Sequence, residues 1–149
     1  MVDFAVPDDL GFNTERIADP AAFAEDFGAR SWLYLNGAEF ASMEGGMSFG
    51  QVQAAVAEAV NIVSDPPVDY TVDLVREHVE AIDQLPRPTV VTCRAGPRSS
   101  ASVYVYAGLK AGATADEVLA RADADGAPFA GMEPLREVVR QAMEQLDRP

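Results

Sequence analysis

Hydrophobic residues in this chain follow two rhythms. Dense apolar or β-branched runs occupy "RSWLYLN" (Arg30 to Asn36), "VNIVS" (Val60 to Ser64) and "TVVTC" (Thr89 to Cys93), and each predicts a strand. Between and after them the spacing turns helical. Val72, Val75, Val79 and Ile82 recur on one face of a helix running from Val72 to Leu85. Pro20 to Ala29 has proline in its first turn and a glycine near its end, and Phe49 to Ala59 has helical character. The segment "GAEFASMEGGMS" reads as loop and "DPPVD" as a rigid turn. Beyond Cys93 only helices are predicted. They are Ser99 to Ala111, a helix opened at Thr114 by a capping box with Glu117, and a last one from about Pro134 to Leu146.

Strands that alternate with helices, followed by helices alone, predict an α/β protein. Its core is a small, mostly parallel central sheet flanked by helices on both faces, and its C-terminal part is all-helical. "TVVTC" is continuously apolar or β-branched, as a central strand covered on both sides must be. No repeat, low-complexity tract or linker divides the chain, so residues 1 to 149 are read as one domain, long enough to bury a core without disulfides.

Charge narrows the function classes. Twenty-four acidic residues stand against eleven basic ones, a net charge of −13, and of the basic residues only Lys110 is lysine. Nucleic acid and anionic membrane surfaces call for the opposite balance, so neither is expected as a partner. The start "MVDFAVPDDLGF" lacks the basic residues and apolar stretch of a signal peptide, and no run is long enough to span a bilayer. A cytoplasmic protein is the expectation. One cysteine and one histidine exclude the usual zinc sets, and neither metal nor cofactor is expected.

The chemistry concentrates at "TVVTCRAGPRSS", Thr89 to Ser100, which holds the single cysteine. A strand, a tight loop and a helix N-terminus follow one another there. Backbone amides at a helix N-terminus bind anions, and the helix dipole adds partial positive charge. Gly96 permits the sharp curve, so Arg94, Ala95, Gly96, Ser99 and Ser100 are the expected cradle for an oxyanion. The same field favours a thiolate at Cys93, as do Arg94 and Arg98. Arg98 can also grip two phosphate oxygens with its planar fork, and Ser99 is placed to hydrogen-bond the sulfur. A lone cysteine is often just a small buried hydrophobe. Two arginines beside a structural thiol would serve no packing purpose, and they weigh toward a reactive or anion-binding role.

"CRAGPRSS" resembles the signature loop of the beta-lactamase hydrolase-like phosphatase domains, a bacterial branch of the dual-specificity and tyrosine phosphatase fold. "ADEVLARADADGAPFAGMEPL", Ala115 to Leu135, is similar to that family's helix, acidic turn and glycine-led closing segment. Upstream the likeness rests on "SWLYLN" and on the order of elements. The resemblance implies a phosphatase-like fold and hydrolysis of a phosphate monoester through a phosphocysteine intermediate, with Cys93 as nucleophile and Arg98 as the anion-binding arginine. Relatives of that family occur beside sulfide-oxidising enzymes, which also implies a link to sulfur metabolism. Four residues separate cysteine from arginine here, one fewer than in ordinary tyrosine and dual-specificity phosphatases. The same spacing occurs in rhodanese sulfurtransferases. Pro97, just before Arg98, removes one amide donor from the cradle. The rest of the chain fits rhodanese poorly: no strand with a glycine–tryptophan close follows the loop's helix, and Trp32 lies in an early strand.

A thiolate attacking a phosphate ester needs an acid for the leaving oxygen. The resemblance places it on a loop before the cysteine, where Asp65 and Asp69 of "SDPPVDYT" are the candidates. Asp65 ends a predicted strand on the sheet edge where α/β ligands bind. Asp69 also suits the N-cap of the next helix, and ordinary turn chemistry explains either aspartate. His78, in mid-helix, is expected as a surface or partly buried residue rather than a base, and Asp123 to Asp125 as a solvated turn. Three readings stay open: a cysteine-dependent phosphatase, a sulfur-transfer or persulfide-handling protein, and a non-catalytic oxyanion-binding module. All three take a small oxyanion or a phosphorylated compound as partner. Nothing in the sequence fixes an oligomeric state.

Overall fold

A computed structural model describes residues 4–149. Four strands, β1 (Leu10–Phe12), β2 (Ser31–Tyr34), β3 (Glu58–Asn61) and β4 (Thr89–Thr92), form one sheet in the order β1-β4-β2-β3. Every pairing is parallel, so the expected mostly parallel sheet is wholly so. Among the described residues six α-helices cover it: α1 (Pro20–Phe27), α2 (Phe49–Ala55), α3 (Val72–Gln84), α4 (Pro97–Ala111), α5 (Ala115–Asp125) and α6 (Glu133–Gln145).

Alternation along the strands divides the core between two layers. Trp32, Tyr34 and Val90 point to one face and pack with Ala24 of α1 and Val52 of α2. Leu33 and Val91 point to the other, where α3, α4, α5 and α6 supply the larger cluster. Helix α4 is buried along most of its length, from Ser99 to Leu109, because α3, α5 and α6 all pack around it. Among the described residues no helix is long and apolar enough to cross a membrane.

Several element boundaries differ from the sequence pattern. Strand β1 has only three residues, one of them glycine, and exists because Leu10, Gly11 and Phe12 pair with Thr89, Val90 and Val91. The strand expected at Val60 to Ser64 is instead Glu58–Asn61, and the preceding helix stops at Ala55. Beyond the ladder the chain still follows β2: the amides of Ile62 and Ser64 donate to the carbonyls of Tyr34 and Leu35, at 3.0 and 2.8 Å. That path delivers Asp65 to the sheet's C-terminal edge from a loop rather than from a strand end. Helix α4 begins at Pro97, two residues before Ser99, because proline's fixed φ and missing N–H suit a first helical turn. Thr114 and Glu117 form the expected capping box.

Candidate active site

Strand β4 ends at Thr92, and the chain turns through Cys93 to Gly96 into α4. Gly96 has φ of 115°, and a Cβ there would lie 2.3 Å from the Asn13 carbonyl oxygen. Left-handed backbone and close approach together demand glycine. The curve turns two amides onto the sulfur: Gly96 N and Ser99 N donate to Cys93 Sγ at 3.2 and 3.4 Å. The Ser99 hydroxyl lies 3.4 Å from the same atom. The thiol is 5% exposed and sits at the foot of a cleft of about 400 Å³.

Asn13, just after β1, fixes the base of this loop. Its Nδ2 donates to the Cys93 carbonyl at 2.9 Å, while its Oδ1 accepts from Cys93 N at 3.2 Å and from the Ser99 hydroxyl at 3.0 Å.

Arg98 reaches the cleft from the first turn of α4. Its Nη1 donates to the carbonyls of Ser64 and Val68, the latter at 2.7 Å. Its guanidinium carbon stands 5.8 Å from the centre of the Tyr70 ring. Among the described residues nothing bonds to Nε or Nη2, so one edge of the fork keeps two parallel donors for an anion.

Behind Arg98 lies a buried polar chain. Ser64 Oγ donates to the Ile62 carbonyl at 2.8 Å, so it accepts from His78 Nε2 at 2.8 Å. His78 Nδ1 then accepts from the Ser102 hydroxyl at 2.7 Å, and Ser102 Oγ accepts from the Tyr70 hydroxyl at 2.7 Å. One proton order satisfies every member with a neutral imidazole. Burial, and secondarily the charge of Arg98, lower the His78 pKa to about 3. Burial, reinforced by the nearby Cys93, raises that of Tyr70. His78, expected at the surface or partly buried, is instead fully buried on the inner face of α3.

Asp65 lines the cleft, and its carboxylate is an acceptor for several donors. Oδ1 accepts from Gly37 N at 2.9 Å; Oδ2 accepts from Arg94 Nη2 and Nε at 3.0 and 3.2 Å and from Asn36 Nδ2 at 3.3 Å. Asp69 is exposed and stays out of the cleft, and the N-cap expected of it belongs to Thr71, whose Oγ1 accepts from Leu74 N. Ser100 also stands apart. Its hydroxyl donates to the Pro97 carbonyl at 3.0 Å and its amide to the Gly96 carbonyl, so both polar groups are spent within α4.

The structure thus brings Cys93, Arg94, Ala95, Arg98 and Asp65 to one cleft, with Gly96 and Ser99 against the sulfur. Met132, Pro134 and Leu135, where α6 begins, also line the cleft. Asp123 and Asp125 end α5 instead of forming a free turn. Asp123 pairs with Arg136, and Asp125 pairs with Arg121 and accepts from the Tyr104 hydroxyl. Among the described residues no cluster of histidine, cysteine and carboxylate groups suits a metal.

This architecture recurs among phosphatases. Tk-PTP in its active form superposes with a TM-score of 0.76 at 12% identity, over 95% of this chain and 96% of that one. A putative phosphatase from Neisseria meningitidis gives 0.66 at 21% identity, over 95% and 99%. The core catalytic domain of the PP-IP phosphatase SIW14 from S. cerevisiae, in complex with citrate, gives 0.61 at 14%, over 93% and 81%. The fold is that of the protein tyrosine and dual-specificity phosphatases. No family model and no curated protein matches the chain by sequence.

Proposed function

We propose that this chain is a cysteine-dependent phosphatase acting on a phosphate monoester. The observation that carries the reading is the geometry at Cys93. Its sulfur accepts two loop amides at a helix N-terminus, beside an arginine whose Nε–Nη2 edge is uncommitted. A phosphoryl group seated on that edge and on the loop amides meets the sulfur in line. Cys93 Sγ bonds to phosphorus as the ester P–O bond breaks, and the leaving oxygen takes a proton. Water then attacks the phosphocysteine, releasing inorganic phosphate and restoring the thiolate.

Asp65 is the proposed acid, since of the two aspartates only it lines the cleft. Proton delivery from Oδ2 requires Arg94 to let go of it, and a bound phosphate competes for that guanidinium. Such an arrangement favours esters with good leaving groups. The phosphatase neighbours support this chemistry over persulfide transfer. The reading is tested with 4-nitrophenyl phosphate. Turnover that vanishes in Cys93→Ser, with a phosphocysteine trapped on rapid acid quench, is the expected result. Cys93-dependent thiocyanate formation from thiosulfate and cyanide, with the phosphate ester untouched, would reverse it.

A further inference from the structure

We infer that the cleft is built for an ester carrying a single phosphoryl group and a broad apolar substituent, and that Met132 sets this preference. The inference rests on the proposed phosphatase reading and specifies the substrate class of the same site. The charged groups lining the cleft are Asp65, Arg94 and Arg98 alone among the described residues. Arg94 pairs with Asp65 at 3.0 Å and, once released, turns to the same phosphoryl group that Arg98 holds, while Arg98 spends Nη1 on two carbonyls, so both cations serve one anionic group. Among the described residues no further cation lines the cleft. A second phosphate would find no partner there, in a chain whose net charge is −13.

Apart from Cys93 and these charged groups the lining is apolar: Pro66, Ala95, Pro97, Met132, Pro134 and Leu135, with Met132 and Pro134 exposed. Met132 is 43% exposed, one of two large hydrophobic residues so placed among those described. The one acid in that segment, Glu133, is turned along α6 toward Arg136 and Arg140 and does not line the cleft. A thioether on a flexible stem suits a flat ring system laid against it. A cleft of about 400 Å³ holds a phosphate and a bicyclic ring together.

Equilibrium binding tests this independently of turnover. Calorimetry would compare three probes on the full chain: 2-naphthylmethylphosphonate, methylphosphonate and inositol hexakisphosphate. The expected order is naphthyl at least tenfold tighter than methyl, with the hexakisphosphate no tighter than methyl. Met132→Lys, at an exposed position that tolerates polarity, should cut the naphthyl-to-methyl ratio about fivefold and improve hexakisphosphate binding. Equal affinity for naphthyl and methyl, binding of none of the probes, or tightest binding of the hexakisphosphate would overturn the inference. So would an unchanged ratio in Met132→Lys. Naphthyl preference without hydrolysis of any aryl phosphate would sink the phosphatase reading alone, whereas hydrolysis without that preference would sink this one alone.

Discussion

Asn13 brackets the Cys93 peptide from both sides, donating to its carbonyl at 2.9 Å and accepting from its amide at 3.2 Å across eighty positions of sequence. The same Oδ1 holds the Ser99 hydroxyl, so one amide side chain fixes both ends of the turn that cups the sulfur. Asn13→Ala leaves buried donors unpaired, at a cost of about 1–3 kcal/mol. Thermal melting should show that loss, and the iodoacetamide reaction of Cys93 should slow as its amides drift. An unchanged melting temperature together with an unchanged alkylation rate would mean the loop holds its shape without Asn13.

Arg98→Lys separates charge from shape. Lysine keeps the cation but has no Nε–Nη2 edge, and it cannot span the carbonyls of Ser64 and Val68 as Nη1 does. Loss of kcat/KM toward 4-nitrophenyl phosphate on the order of a hundredfold is expected, by analogy with removal of one transition-state donor. Activity within threefold of the parent would show that bidentate contact is not used.

Asp65→Asn distinguishes proton delivery from anchoring. If Oδ2 protonates the leaving oxygen, kcat for phenyl phosphate falls far more than kcat for 4-nitrophenyl phosphate, because only the poorer leaving group needs the proton. Equal losses on both would assign Asp65 to holding Arg94, its partner at 3.0 Å.

The buried histidine gives the fold an acid limit. His78 titrates at about 3 when folded, against an ordinary value of about 6.5. Between those values the unfolded chain binds the proton and the native one does not. Stability is therefore complete above the unfolded value and declines as pH falls toward 3. From pH 7 to pH 5 this residue should remove about 2 kcal/mol of unfolding free energy. Urea titrations of the parent and of His78→Gln at the two pH values isolate the effect, since carboxylates contribute alike to both. Identical pH dependence in the two proteins would mean the imidazole is not held neutral.

Local signals carried the Cys93 loop. A β-branched run, a glycine, a proline and two serines within "TVVTCRAGPRSS" dictate strand, turn and helix start from their own backbone preferences, so Cys93, Arg94, Gly96, Arg98 and Ser99 could be placed together from sequence. Asn13 and the Tyr70–Ser102–His78–Ser64 chain could not, because each side chain looks ordinary where it stands and meets its partner only across folded layers. A lone histidine on the face that carries Val75 and Ile82 does not announce that two serines will satisfy it. Strand β1 was hidden for the same reason: three residues carry too little pattern, and pairing with β4 alone defines them. At β3 the dense apolar run misled, since Ile62 and Val63 lie past the ladder and only Ala59 and Val60 give Glu58–Asn61 an apolar middle.

The interior place of β4, paired with β1 on one side and β2 on the other, bears on how the protein can fail. Val90 and Val91 are fully buried and point their amides to opposite neighbours, so each amide hydrogen can exchange with solvent only when the strand that accepts it lets go. A strand in that position opens with the whole domain, unlike the edge strand β3. Cys93 follows directly on its last residue, Thr92. Slow deuterium uptake at Val90 and Val91 would therefore report the global unfolding free energy, and gradual urea titration should extinguish catalysis and secondary structure at one midpoint.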